Sequence, residues 1–455
     1  EPGQVPLNGP AAAALSTTEF SELMRAAGPF SGNTALAVAV SGGADSMTLL
    51  ALAHDWAAKI GASVTALTVD HGLRPESGIE AAQVADWCRE HGVAHETLVW
   101  EGDKPDKGIQ AAARAARYAL LEDWCRVRSH TELLVAHSQN DQAETFLMRM
   151  NRGSGIDGLA AMPLVSFHDG VRLIRPLLTV PRPRIEATAD ARSLKPVSDP
   201  SNLDRRYARV RMRDNLKLLD ARGVSVEAIA GTARIFGKMR AVRERAIAAL
   251  AGDILVLHRE GYAEIAREDF AGADREPAGG LVAAVLMSVG GLEYAPRRER
   301  LDRLMGDMLH NSDFRPRTLG NCVISTRGDH FLIRREHRTI RHGLSVEPGR
   351  RVVWDGRFTV EFAPDPRIGA SGYSLKPLGE DGWRYIVSIS ARANLRDYRD
   401  IPGPVRYALP AIWQGEKVVE VPHLGYFFGQ AVEKITKTAE FRSRQLIAGH
   451  TFWVV

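Results

Sequence analysis

Cysteine is scarce in this chain of 455 residues: Cys88, Cys125 and Cys322 are the only three, and they are scattered. That excludes a disulfide framework and every paired-cysteine zinc spacing. Cys88 and Cys125 fall in helix-like runs and read as small buried hydrophobes, which suits a reducing compartment. Long apolar runs are also lacking: no window approaches the ~18 uninterrupted apolar residues of a membrane span. The opening EPGQVPLNGPAAAALSTTEF has no basic start and no long apolar stretch, so it does not read as a secretion signal. Residues 1–20 are expected to be a disordered or appended tail. No low-complexity tract follows it, and no internal repeat is found. These absences point to a cytoplasmic globular protein with no membrane partner, and its length predicts roughly two to four domains.

What is present begins with charge. The net formal charge is only +4, but Arg is concentrated in RLIRPLLTVPRPR and DRRYARVRMR, where acids are few. Arg favours bidentate contact with phosphate, whereas the plainer reading of any one such run is a solvated face.

From residue 34 to 150 apolar runs alternate with helix-like stretches. TALAVAV, VTALTVD, HETLVW and ELLVAHS are each followed by a helical pattern. Runs of this length without strict polar alternation suit strands buried on both faces, and the alternation predicts a parallel α/β sheet. The expected architecture is a Rossmann-like nucleotide-binding domain over residues 21–222. A helical domain over 223–317 and a smaller β-rich C-terminal domain over 318–455 follow. In parallel sheets ligands lie at the carboxyl ends of the strands. Those ends read SGGADS, DHGLR, EGDK and HSQND, and three of the four are richer in polar residues or Gly than plain connections need.

The loop Ser41, Gly42, Gly43, Ala44, Asp45, Ser46 lies between a buried strand and a helix. Its glycines allow close backbone approach, and N–H groups at a helix start favour an anion. Asp45 is misplaced beside phosphate unless Mg²⁺ bridges the two. No Gly-Lys-Ser/Thr follows and no G-x-G-x-x-G is present, so neither the P-loop nor the dinucleotide fingerprint applies. The bland alternative is a tight turn with an Asp or Ser helix cap.

Ser-Gly-Gly-x-Asp-Ser after a buried strand resembles the pyrophosphate loop of the N-type ATP pyrophosphatases. Later motifs resemble one branch, the tRNA(Ile)-lysidine synthetases: VDHGLR (69–74), IQAAARAARY (109–118), the AHSQNDQAETFLMRMNRGSGIDGLAAM stretch (136–162), RPLL (175–178) and DPSN (199–202). The resemblance is close over 34–220 and only general in layout beyond. It implies ATP as substrate with Mg²⁺, free L-lysine and a tRNA(Ile) with a CAU anticodon as partners, and homodimers as a common assembly. It places His71 at the nucleotide with the 41–46 loop, Asp45 on the metal, and Asp141 and Glu144 around the lysine ammonium. The reaction implied is ligation of lysine to the 2-position of the wobble cytidine through an adenylated intermediate, releasing pyrophosphate and AMP.

The residues themselves bear on these roles. Asp141 and Glu144 are i, i+3 on a helix and share a face, as two carboxylates around one ammonium would; the alternative is an acidic helix start. Arg114 and Arg117 repeat that spacing among alanines and could stabilise charge during adenylyl transfer; the alternative is two solvated side chains. A lone His at a strand end, as His137 is, is more often structural; facing the expected nucleotide, it could instead contact phosphate or carry a proton. Asp141, Glu144 and His137 are the options for accepting the lysine proton, by position alone. Ser154 and Gly155 form a donor-rich loop expected near the nucleotide, or else follow an ordinary helix cap at Gly153. Arg205, Arg206, Arg209, Arg211 and Arg213 cannot all face one ligand; Arg209 and Arg213, i and i+4, are expected near the active site or the tRNA.

Two departures from the family pattern stand out. Asn140 occupies a position where a second acid is usual, which weakens a metal role there, and Val210 stands where Asn is common. The β-rich end, with IRREHRTIRHG and PGRR, is expected to clamp tRNA. Two rivals are a tRNA thiolase on the same fold, disfavoured by the scattered cysteines, and a non-catalytic RNA-binding relative.

Overall fold

The computed structural model describes residues 12–73, 77–102, 104–105, 108–168, 170–197, 208–310, 313–341, 343–370, 372–389, 398–428, 434–442 and 452–454. The DPSN motif, Arg205, Arg206 and residues 1–11 of the expected tail lie outside them. Two compact units are present: residues 1–242 with 450–455, and residues 243–449.

The first unit runs α1 (Thr17–Ala27), β1 (Ala35–Ala39), α2 (Ala44–Ile60), β2 (Ser63–Asp70), α3 (Ser77–Glu90), β3 (Ala94–Val99), α4 (Ile109–Val127) and β4 (Glu132–Leu134). It continues through α5 (Gln139–Met150), α6 (Ile156–Leu159), β5 (Val165–His168), β6 (Val171–Ile174), α7 (Arg182–Ala191) and α8 (Ala208–Asp220) into α9 (Val226–Ile254). α1 starts inside the stretch expected to be a tail. Its Ser16 accepts from the Glu19 N–H while the Glu19 carboxylate accepts from the Ser16 N–H, a reciprocal cap that a disordered tail would not carry.

The sheet order is β3-β2-β1-β4-β6-β5, with β5 antiparallel at one edge and the other pairings parallel. The chain leaves β1 toward β2 on one side and β4 on the other. The strand order therefore reverses between β1 and β4, and a crevice opens beyond their carboxyl ends. β1 is Ala-Leu-Ala-Val-Ala with four of five residues buried, as a central strand covered by helices on both faces requires. Leu36, Val38 and Val40 enter one core with Leu49, Leu50 and Trp56 of α2, while Ala37 and Ala39 enter the other with Leu121 and Trp124 of α4.

Phe452–Val454 also pack in this unit. The Leu164 N–H donates to the Trp453 carbonyl at 3.0 Å, and the Arg240 guanidinium lies 4.6 Å from the centre of the Phe452 ring.

The second unit holds β7 (Leu255–His258), β8 (Tyr262–Ala266), α10 (Arg267–Gly272), α11 (Arg275–Gly290), α12 (Arg298–His310), β9 (Arg317–Leu319), β10 (Cys322–Arg327) and β11 (His330–Arg335). β7 and β8 are strands inside the stretch 223–317 expected to be helical: they form a hairpin that pairs with β11 in the sheet β7-β8-β11-β10-β9. Their pattern is short and flanked by helices, so local periodicity did not separate them.

Then come β12 (Leu344–Ser345), β13 (Arg351–Trp354), β14 (Phe358–Phe362), α13 (Pro366–Ala370), β15 (Tyr373–Pro377), α14 (Gly379–Ile389), α15 (Gly403–Arg406), β16 (Pro410–Gln414), β17 (Lys417–Val421), β18 (Tyr426–Phe427) and β19 (Thr436–Phe441). They build two further antiparallel sheets. Arg335, part of the basic run expected to meet tRNA, instead points inward. It makes two bonds to Asp355, at 3.0 and 2.9 Å, and is 4% exposed. Arg357, also buried, bonds the same carboxylate at 2.7 Å.

α11 ends where backbone meets backbone. A Cβ at Gly290 would fall 2.1 Å from the Gly320 carbonyl oxygen, and neither chain can yield there without moving an element. Gly290→Ala is therefore expected to destabilise this unit by about 1–3 kcal/mol or more, read as a lowered urea midpoint with the unfolding slope unchanged.

Candidate active site

The loop after β1 braces itself. The Ser41 N–H donates to the Ser46 hydroxyl at 3.1 Å, and that hydroxyl donates to the Gly43 carbonyl at 3.0 Å. Gly42 sits at φ +83°, where side chains are strained, and a Cβ there would lie 3.1 Å from Val197. The N-cap of α2 is Gly43, and no side chain caps it. The Asp or Ser cap considered as the bland alternative is thus absent, and the helix starts at Ala44 with its first N–H groups uncapped by any side chain. That is the arrangement an anion can occupy.

Asp45 stands in the first turn of α2. Its Oδ1 is buried and has no hydrogen-bond partner. Burial raises its pKa, opposed by Arg182 and reinforced by Asp141 and Glu186. The negative charges of Asp141 and Glu186 thus add to the cost of burying the Asp45 carboxylate. This is a setting that a cation or a phosphate-bound metal relieves.

Across the crevice, β4 ends and Ser138 caps α5. The Ser138 N–H and hydroxyl each donate to Asp141 Oδ2 at 2.9 Å. Burial works against the Asp141 charge, but the hydrogen bonds from Ser138 and the positive charge of Arg209 hold the carboxyl below its ordinary range. Glu144, one turn on, is 2% exposed. Its Oε1 accepts from Arg213 at 2.8 Å, while its Oε2 is buried and unpartnered. Burial raises the Glu144 pKa; Arg213 opposes the shift and Asp141 adds to it. The two acids on one helix face are therefore pushed in opposite directions.

His137 has a buried Nδ1 with no partner. Burial, with help from Arg175, Arg114 and Arg209, lowers its pKa to about 3 against the pull of Asp141, so the ring is neutral at pH 7. His71, at the end of β2, also has a buried, unpartnered Nδ1, and burial with Arg117 lowers its pKa. Burial likewise lowers the pKa of Arg117, which lies beside Tyr118 and Arg114; no carboxylate pairs with it among the described residues. Arg114 lies over Tyr118 at 5.0 Å.

The structure thus brings Asp45, Arg114, Arg117, His71, His137, Asp141, Glu144, Arg209 and Arg213 around one crevice, through contacts or mutual electrostatic influence. Ser154 and Gly155 are engaged locally. Ser154 donates its N–H to the Arg149 carbonyl at 3.0 Å, and Gly155 caps α6. None of their hydrogen bonds among the described residues reaches the 41–46 loop.

Asn140 has a definite structural role. Its Oδ1 accepts the Arg182 N–H at 3.0 Å, at the start of α7. An amide serves there as well as an acid, and its oxygen is already engaged. Two arginines were missed as site residues. Arg182 opposes the Asp45 shift, and its own pKa is raised by Asp45 and Glu186 although burial acts the other way. Arg175 is buried, and among the described residues its guanidinium bonds only the Pro163 carbonyl and the Ser166 hydroxyl, at 3.1 Å each. Burial pushes its pKa down to about 10. Both lie in the Arg-rich run RLIRPLLTVPRPR, the one signal that could have identified them.

The neutral buried His137 makes stability depend on acid. The unfolded chain takes up a proton near pH 6.5 and the folded one only near 3, so stability falls as pH drops between those values. The expected loss is about 2 kcal/mol from pH 7 to pH 5, and His137→Gln should remove that part of the slope in urea titrations at the two pH values.

Residues 15–219 match the family model for the PP-loop domain. Curated relatives are similar over most of the chain. The tRNA(Ile)-lysidine synthase of Wolbachia pipientis wMel is 35% identical, covering 87% of this chain and 90% of that protein. That of Ruegeria pomeroyi is 33% identical over 88% and 90%, and that of Hyphomonas neptunium 39% over 67% and 82%. Among the described residues no helix is long and apolar enough to cross a membrane. Identity of 33–39% to relatives that cover two thirds or more of the chain is more than a shared nucleotide fold: the chain belongs to the tRNA(Ile)-lysidine synthase family.

Proposed function

We propose that the chain ligates free lysine to the 2-position of the wobble cytidine in a tRNA(Ile) with a CAU anticodon, consuming ATP. The observation that carries this reading is the opposite tuning of Asp141 and Glu144 within reach of the 41–46 loop. In the first step the cytidine 2-carbonyl oxygen attacks the α-phosphate of ATP and pyrophosphate leaves. The uncapped N–H groups of α2 hold the departing phosphates, while Arg114 and Arg117 offset charge that grows in the transition state.

The orphaned Asp45 oxygen would be the residue atom to hold a Mg²⁺ ion brought with the ATP phosphates. Bound there, Mg²⁺ supplies neutralisation of the pyrophosphate charge.

In the second step the lysine ε-amine attacks the activated carbon and AMP leaves. Asp141, kept ionised, is the permanent anion that receives the lysine ammonium. Glu144, made more basic by burial and with Oε2 unspent, is the proton acceptor. Arg213 keeps Glu144 from being an isolated buried charge. His137 is too weak a base to take that proton and serves as a neutral hydrogen-bond partner.

A thiolase reading is opposed by the cysteines. All three are buried, and burial raises their pKa to about 11 for Cys88 and about 12 for Cys125 and Cys322. Such thiols are not poised nucleophiles.

Incubating the protein with the tRNA, ATP, Mg²⁺ and lysine should add a lysine-sized mass to the tRNA and release AMP and pyrophosphate in equal amounts; no mass gain would refute the function. Asp45→Asn is expected to cut pyrophosphate release about 100-fold or more with tRNA binding retained in a filter assay. Glu144→Gln should still adenylate the tRNA but accumulate that intermediate. The base limb, along which transfer rises with pH as Glu144 ionises, should vanish from its pH profile.

A further inference from the structure

The carboxyl ends of β2 and β3 carry a second group of side chains that the reaction scheme does not use. Trp100 follows β3 and is tied to the end of β2 by its N–H, which donates to the Asp70 carbonyl at 2.9 Å. Its ring lies 6.1 Å from the His71 ring, at 88°. Lys104 places its ammonium 5.5 Å from the centre of the Trp100 ring, and a Cβ on Gly72 would be 3.5 Å from the same nitrogen. Asp70 is committed elsewhere, accepting from the Ser77 hydroxyl at 2.6 Å and the Gly72 N–H at 2.8 Å. Large apolar side chains stand in solvent close by in the chain: Leu73 is 43% exposed, Ile79 62% and Val99 53%.

An indole that is only half-buried, with an ammonium over its ring, is costly to leave beside exposed aliphatics unless something covers it. It is also the combination that single-stranded nucleic acid uses: an aromatic face for a base and a cation for the adjoining phosphate. We propose that Trp100 and Lys104 form a stacking platform for an unpaired base of the RNA substrate, beside the nucleotide site. This rests on the function proposed above and names part of how that site takes its macromolecular substrate.

The strand order favours RNA over the adenine of ATP as the occupant. The phosphate loop follows β1, His71 follows β2, and Trp100 follows β3, the outermost strand of the sheet. With strands roughly 4.8 Å apart, Trp100 lies about 10 Å from the loop along the sheet. It is at an open edge that a folded RNA can reach without entering the crevice.

The test is steady-state kinetics of the full-length protein with intact tRNA, ATP and lysine, varied one at a time. Trp100→Ala is expected to raise KM for tRNA about tenfold, within the range of one lost base stack, while KM for ATP stays within about twofold. Trp100→Phe should recover most of the tRNA affinity and controls for folding. Lys104→Ala should lower the slope of log affinity against log salt by about 0.7, the share of one single-strand phosphate. A rise in KM for ATP alone would overturn the proposal and assign the indole to adenine. An unchanged KM for tRNA in a folded Trp100→Ala protein would overturn it too. Either result leaves lysine transfer by the unaltered protein intact, whereas failure of that transfer refutes the function itself.

Discussion

The crevice between β1 and β4 gathers buried charge that the protein does not fully pair within itself. Asp45 and Glu144 each keep a buried carboxylate oxygen without a hydrogen bond, and His71 and His137 each keep a buried ring nitrogen in the same condition. Arg175 is buried and Arg117 half-buried, with no carboxylate bonded to either among the described residues. Desolvation without a partner costs several kcal/mol per ion, so the fold tolerates this cluster only because the rest of the unit is heavily packed. The same deficit leaves buried polar groups that a charged ligand would satisfy.

The packing that bears the deficit is simple in kind. The small residues of β1 admit helices to both faces of the sheet, and the apolar faces of α2 and α4 close on it. α7 then returns across α2, its first N–H fixed by Asn140, and brings Arg182 into the electrostatic range of Asp45. The side chain that departs from the family pattern is therefore part of the scaffold that sets the charge beside Asp45. The second unit shows a different solution: Arg335 and Arg357 share the single carboxylate of Asp355, so the buried charges there are paired and inert.

Sequence reading reached the parallel sheet and its loops because their signals are local. A buried strand is a short apolar run, and a phosphate loop is a Gly-rich string between a strand and a helix. It also reached Asp141 and Glu144, because an i, i+3 spacing means one face in any helix. It missed the hairpin β7-β8, whose strand character comes from pairing with β11, some seventy residues further along the chain. It took Arg335 for surface because a basic run looks the same whether its side chains face water or a buried Asp.

The chain's own order of residues determined that a phosphate-binding turn would stand at the head of a buried strand, with two carboxylates on one helix face and arginines spaced to meet them. Tertiary structure alone decided which way each titrates. Asp141 is held ionised by Ser138 and Arg209 against its burial, and Glu144 is made basic by burial that Arg213 only partly offsets. The two acids differ by one methylene and three positions in sequence. What separates their chemistry is the set of groups that folding brings around each, and pKa depends on those surroundings rather than on the residue type.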